Sequence, residues 1–101
     1  MAETPKQGAK KFLADVPEEN VFRCHDSCVM RNMKELGDAL KTMTDETYAF
    51  HANTEKNDFV NWVKDIIKDE RLAKDLQKAS NRAQAAKVVG DRVSALSRRL
   101  P

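Results

Sequence analysis

Five helix-start signals between residues 32 and 84 constrain this chain more than any other feature of it. Asn32-Met-Lys-Glu35 and Asn81-Arg-Ala-Gln84 both have the form of a capping box. In that motif a side chain caps the first turn, and a glutamate or glutamine three residues later bonds back to the cap amide. Between the two boxes, Thr44, Thr54 and Asp69 each stand where an N-cap belongs, ahead of a run able to turn helical. Helices are therefore predicted over residues 33–42, 45–52, 55–68, about 70–79 and 82–100. Helices this short are marginal alone in water, so they must bury faces against one another. Met33, Leu36, Leu40 and Met43 supply such a face on the first.

Ahead of the helices the pattern changes. Residues 1–11 show no apolar period and read as a flexible tail. Phe12, Leu13 and Val16 can anchor the chain before Pro17. Val21-Phe-Arg-Cys24 and Cys28-Val-Met-Arg31 are strand-like runs about a polar turn, His25-Asp26-Ser27, and predict a small hairpin that must pack on helices. The expected fold is mainly α: a compact bundle of about five helices with a short N-terminal β-hairpin, forming one domain over residues 12–101.

Size limits function. A chain of 101 residues, 41% hydrophobic, closes a modest core with little room for a deep cavity as well. That favours a binding module over an enzyme. No apolar run approaches the roughly 20 residues of a membrane span, and the start lacks the basic-then-apolar order of a secretory signal. A cytoplasmic protein with reduced cysteines is the expectation.

The net charge of +2 is unevenly spread. Residues 12–70 hold seven basic and thirteen acidic side chains, whereas residues 71–101 hold eight basic against Asp75 and Asp91 alone. The basic end coincides with the predicted last helix. There Ala86, Val89, Val93, Leu96 and Leu100 alternate three and four apart, as along a coiled-coil seam, with Gly90 beside them. The stripe can dock on its own domain, or it can meet a partner. Gly90 could admit another helix closely.

Tyr48 to Trp62 is the other dense region, with four of the six aromatics, His51, and several amides and acids. On a helical wheel Phe59, Val60, Val63, Ile66, Ile67 and Trp62 span about 160°, so this helix belongs at the centre of the core. Phe59 faces inward, while Trp62 stands at the rim near Asp58 and Asp65. A large amphipathic ring at a rim is a typical binding anchor.

From Phe22 onward the chain resembles a small prokaryotic, largely archaeal family, a domain of unknown function. The resemblance is carried in order by Phe22-Arg-Cys-His-Asp26, Asn32-Met-Lys-Glu-Leu36, Asp45-Glu-Thr-Tyr-Ala-Phe-His51, Asn57-Asp-Phe-Val-Asn-Trp62 and Asp69-Glu-Arg-Leu-Ala73, and covers roughly residues 16–100. It implies no activity. Ser27 stands where the family pattern has Gly after Asp26, which weakens the expected turn, and Cys28 is peculiar to this chain.

Three functional readings follow. Cys24, His25, Cys28 and His51 are zinc-type ligands, but only one short-spaced cysteine pair exists, so no metal or cofactor is expected. Ordinary thiols are the expected state of the cysteines, with a disulfide or zinc as alternatives. The leading reading is a non-enzymatic interaction module for a protein partner or a second copy. It would act through Arg82, Val89, Arg92, Val93, Leu96, Arg99 and Leu100 of the basic last helix. One alternative is nucleic-acid association through phosphate contacts of the same limb. Another is a small-ligand site around His25, Asp26, His51, Asn57, Asp58 and Trp62, since a histidine oriented by a carboxylate is the usual unit of acid–base chemistry. No Gly-rich phosphate loop or nucleophile elbow accompanies it, and His51 is also well placed to cap the end of its helix.

Overall fold

A computed structural model describes residues 6–24, 29–53 and 55–98, with side chains from Lys10 onward. In chain order the elements are α1 (Lys6–Leu13), a 3-10 turn (Glu18–Asn20), β1 (Phe22–Arg23), β2 (Val29–Met30), α2 (Met33–Thr42), α3 (Asp45–His51), α4 (Asp58–Trp62), α5 (Glu70–Gln77) and α6 (Arg82–Ser97). The mainly α expectation holds, with six helices and one hairpin among the described residues. A Cα radius of gyration of 12.9 Å matches the roughly 13 Å of a compact domain of this size.

The caps work much as the sequence implies. Asn32 Oδ1 accepts the Glu35 amide at 2.8 Å and Asn81 Oδ1 accepts that of Gln84 at 2.9 Å. The return bonds differ from the expected motif. Glu35 Oε1 accepts from the Arg31 amide at 2.7 Å and Gln84 Oε1 from the Ser80 amide at 2.7 Å, each one residue before the cap. Both caps share one extended backbone, φ −155°, ψ 175° at Asn32 and φ −158°, ψ 177° at Asn81, so the displacement is common to the two.

Three boundaries depart from expectation. The predicted tail is helical from Lys6, because Phe12 and Leu13 pack against the core and give α1 something to stand on. The fourth helix starts at Asp58 rather than 55. Asn53 Oδ1 accepts the Glu55 and Lys56 amides at 2.9 and 3.2 Å, and the Asn53 amide donates to Lys56 O at 2.8 Å. That turn consumes the residues before Asn57, and Asn57 Oδ1 becomes the cap, accepting the Val60 amide at 3.1 Å. Thr54, the expected cap, lies outside the described residues. At its far end α4 widens into a π-helical turn, Val63–Ile67, and Lys68 closes it at φ 71° with its amide on Val63 O, 2.7 Å away.

The core lies where the wheel placed it, with Phe59, Val60, Val63 and Ile67 buried. The hairpin pairs Phe22 with Met30 and Arg23 with Val29, and turns Phe22 inward. There Phe22 stacks on Phe59 at 5.2 Å and meets Trp62 and His51 edge-on at 5.9 and 5.1 Å. Such ring pairs stabilise by about 0.5–1.5 kcal/mol each beyond area burial. The hairpin is thus held by one aromatic anchor. Cys24 is buried beside it and disulfide-bonded, so the expected thiol is corrected there; Cys28 lies outside the described residues.

The α2–α6 packing forms the other half. Gly37 of α2 is buried against Val89, where a methyl group would stand 3.2 Å from Val89 Cγ1. Gly37, not Gly90, is the residue that permits the close approach within the domain. A methyl at Gly90 would meet nothing within 4 Å, and its φ is not positive. A mid-helix glycine costs roughly 0.5–1 kcal/mol relative to alanine, and nothing inside the described fold offsets that at Gly90.

Candidate functional site

The last helix puts its apolar stripe inward. Val89 and Leu96 are fully buried, Val93 is half-buried against the core, and Arg99 and Leu100 lie outside the described residues. Of the three arginines expected to meet a partner, the two within the described residues, Arg82 and Arg92, are both engaged within the domain. Arg82 donates from Nε to Asp45 Oδ1 at 2.8 Å and from Nη1 to the carbonyls of Leu40 and Lys41 at 2.8 and 3.1 Å. It closes the C-terminal end of α2, where partial negative charge collects. Arg92 reaches Asp69 by Nε–Oδ2 at 2.7 Å and Nη2–Oδ1 at 3.2 Å. Asp69 Oδ1 also caps α5 through the Leu72 amide at 3.2 Å, so one carboxylate joins α5 to α6 and starts α5. Val89, Arg92 and Leu96 are thus buried within the domain rather than presented to a partner, whereas Val93 keeps partial exposure.

What α5 and α6 leave in solvent is charge. Arg71, Lys74, Lys78, Lys87 and Arg98 are exposed, and Lys87 pairs with Asp91 one turn on at 3.0 Å. Between the two helices a concavity of about 430 Å³ is lined by Arg71, Asp75, Val88, Asp91, Arg92 and Ala95.

The predicted ligand edge is partly assembled. His51 ends α3 and is buried, edge-on to Phe22, Phe50 and Phe59 at 5.1, 5.0 and 5.4 Å. Its Nδ1 lies 2.9 Å from Asp58 Oδ2, and Lys56 Nζ stands 3.1 Å from the same oxygen. An ionised carboxylate only accepts, so with Asp58 charged the proton is on Nδ1. Partial burial alone would raise the Asp58 carboxyl. The hydrogen bonds from His51 and Lys56, with the positive charge of Lys56, outweigh it and hold the group below the ordinary aspartate range. Burial pushes the Tyr48 phenol up. Asp58 and His51 open onto a shallow hollow of about 400 Å³ that also involves Arg23, Asn61 and Ile66.

Of the other described members, Trp62 also lines that hollow and Asn57 does not. Trp62 is not an exposed rim residue. It is buried, and its Nε1 donates to Asn20 O at 2.8 Å, so it ties α4 to the turn before the hairpin. Asn57 spends its side chain on the α4 cap. His25 and Asp26 lie outside the described residues. Two partners escaped the sequence. Lys56 stands two residues before Asp58, a spacing that could have pointed to it; Asp69 is 23 residues from Arg92, and no local pattern links them.

No family model, no curated protein and no solved structure matches this chain. Function therefore rests on the geometry of the chain itself. Among the described residues no group of three metal-ligating side chains converges, and no helix is long and apolar enough to cross a membrane.

Proposed function

We propose that this protein is a non-enzymatic binding module, and that the solvent face of α5 and α6 engages an acidic surface on a protein partner. One observation carries it. Most of the apolar stripe is buried and Arg82 and Arg92 are engaged internally, yet Arg71, Lys74, Lys78, Lys87 and Arg98 stand exposed on two adjacent helices and outnumber the exposed acids there, Glu70, Asp75 and Asp91. A surface of that kind attracts by long-range charge, steers encounter, and weakens as salt screens it. The shallowness of the hollow beside His51 and Asp58 favours a binding role over chemistry, because no enclosed space there excludes water from a reaction.

The test is capture from native extract with the wild-type protein and with an Arg71→Glu, Lys74→Glu, Lys78→Glu variant. A specific protein retained at low salt, released at roughly 0.5 M where the Debye length is only a few ångströms, and absent from the variant supports the proposal. Equal capture by both proteins overturns it. So does a bound fraction that is nucleic acid and shifts in a gel at low salt, which would transfer the limb to the nucleic-acid reading.

A further inference from the structure

The hairpin turns one face to the core and leaves the other in water. Phe22 and Met30 are paired and buried, so strand alternation sends the next pair, Arg23 and Val29, outward. Continuing the register by one residue sets Val21 opposite Arg31 on that same outer face. Two arginines then occupy one diagonal and two valines the other. Val29 is 37% exposed, one of two large apolar residues exposed among those described. The segment before the hairpin runs along the outer edge of β2, its Val16 amide donating to Arg31 O at 2.8 Å. It adds Asp15, Val16 and Glu18 to the wall of a hollow of about 360 Å³ over the valines and arginines. That volume falls within the roughly 300–1,000 Å³ of ligand sites, near the lower end.

Little of the charge here is spent inside the fold. Among the described residues, the Arg23 guanidinium and the Glu18 carboxylate have no hydrogen bond or ion pair. Arg31 meets Glu35 at 3.7 Å, a pair open to water that contributes little. Asp15 is tied down, its Oδ1 accepting from Asn32 Nδ2 at 2.6 Å. Guanidinium groups match carboxylates and phosphates. The two acids decide between these: beside Asp15 and Glu18 a phosphate dianion is repelled more than a single carboxylate. Arg23 and Arg31 are diagonal neighbours, about 7–8 Å apart at Cβ, so two long side chains can converge on one carboxylate. The valines require an apolar group close beside it, because cross-strand neighbours such as Arg23 and Val29 have Cβ atoms about 4.5–5.5 Å apart. The last residue of a polypeptide carries its carboxylate and its side chain on one carbon. A glutamate within a chain has no apolar branch at its carboxylate.

We propose that the outer face of the hairpin binds the free C-terminus of a polypeptide ending in an apolar residue. The carboxylate lies between Arg23 and Arg31, and the last side chain rests on Val21 and Val29. None of these residues belongs to α5 or α6, so this contact and the acidic-partner surface are separable.

Amide chemical-shift titration with two short acetylated peptides tests it. Both have neutral side chains and a final leucine; one keeps its carboxylate and the other is amidated. The carboxylate peptide should bind roughly tenfold or more tighter than the amide, as loss of hydrogen bonds between charged groups implies. Its shifts should centre on residues 21–23 and 29–31. Arg23→Gln should weaken binding by a similar factor and Val29→Ser by a smaller one. Neither should change the melting temperature much, because both side chains are exposed. Glu18→Gln has the opposite sign and should tighten the carboxylate peptide. No binding of that peptide at millimolar concentration overturns the proposal, and so does equal binding of acid and amide. Binding that survives Arg23→Gln, displacement by equimolar inorganic phosphate, or equal binding of an amidated peptide with an internal glutamate also overturns it. Arg23→Gln and Val29→Ser should leave capture of an acidic partner unchanged. Charge reversal at Arg71, Lys74 and Lys78 should leave the peptide titration unchanged, so the two surfaces fail separately.

Discussion

Asp69–Arg92 and Asp58–His51 are both carboxylate pairs that fasten helices, and they sit in opposite electrostatic settings. The first has side chains 1% and 8% exposed, bidentate geometry, and a second task for its carboxylate in capping α5. The second pairs a buried imidazole with a carboxylate 31% exposed, shared with a lysine that is 46% exposed. Water screens the second pair and leaves the first alone. A buried pair has repaid its desolvation only while both members remain, whereas an edge pair can lose a member and be rehydrated. One is therefore part of the architecture, and the other responds to conditions.

Breaking the buried pair from one side should produce the largest effect. Arg92→Ala leaves the Asp69 carboxylate charged and enclosed, and should lower unfolding free energy in urea by about 3–5 kcal/mol. For a domain of this size that is a large part of the total. Replacing both members sharpens the point. Arg92→Met with Asp69→Asn removes both charges and keeps a side-chain oxygen for the Leu72 amide. Stability should return to within about 1–2 kcal/mol of wild type. A double variant as unstable as Arg92→Ala would mean that the ion pair itself, rather than its completeness, holds α5 to α6.

The edge pair should show itself through pH. The folded-state pKa of Asp58 is depressed, so its contribution is present above the unfolded aspartate value of about 3.9 and disappears as pH falls through the lower folded value. Thermal melts taken downward from pH 5 should lose stability in the wild type, and Asp58→Asn should flatten the part of the curve that belongs to this group. A variant with an unchanged acid slope would remove Asp58 from the account. The smallest effect is expected from Lys56→Ala. Its ammonium is half in water, so the loss should stay below about 1 kcal/mol and shrink with added salt.

Much of the fold could be read from local signals, and the candidate sites much less. Asn32, Thr44, Asp69 and Asn81 each cap the helix that follows, because a cap bonds an amide only three residues away. Phe59, Val63 and Ile67 lie in the core as their spacing implies, even though the helix widens into a π-turn beneath them. Arg92 shows the opposite case. It flanks an apolar stripe like a surface cation, and only the arrival of Asp69 from another helix turns it into a buried cross-link. Trp62 is similar: its burial needs Asn20 O and the ring of Phe22, both some 40 residues earlier in the chain.

The sequence by itself determined the number of helices after residue 32, most of their starts and the faces that α2, α4 and α6 bury, though not that of α3, where Thr47 and His51 turn inward and Phe50 stays exposed. Those depend on contacts within one or two turns. Tertiary structure decided which cations remain in solvent, which glycine lets two helices touch and which leaves an open groove, and that α6 docks on its own domain. Those outcomes depend on what lies opposite a residue in space, and a linear pattern carries a residue's own preferences but not its neighbours.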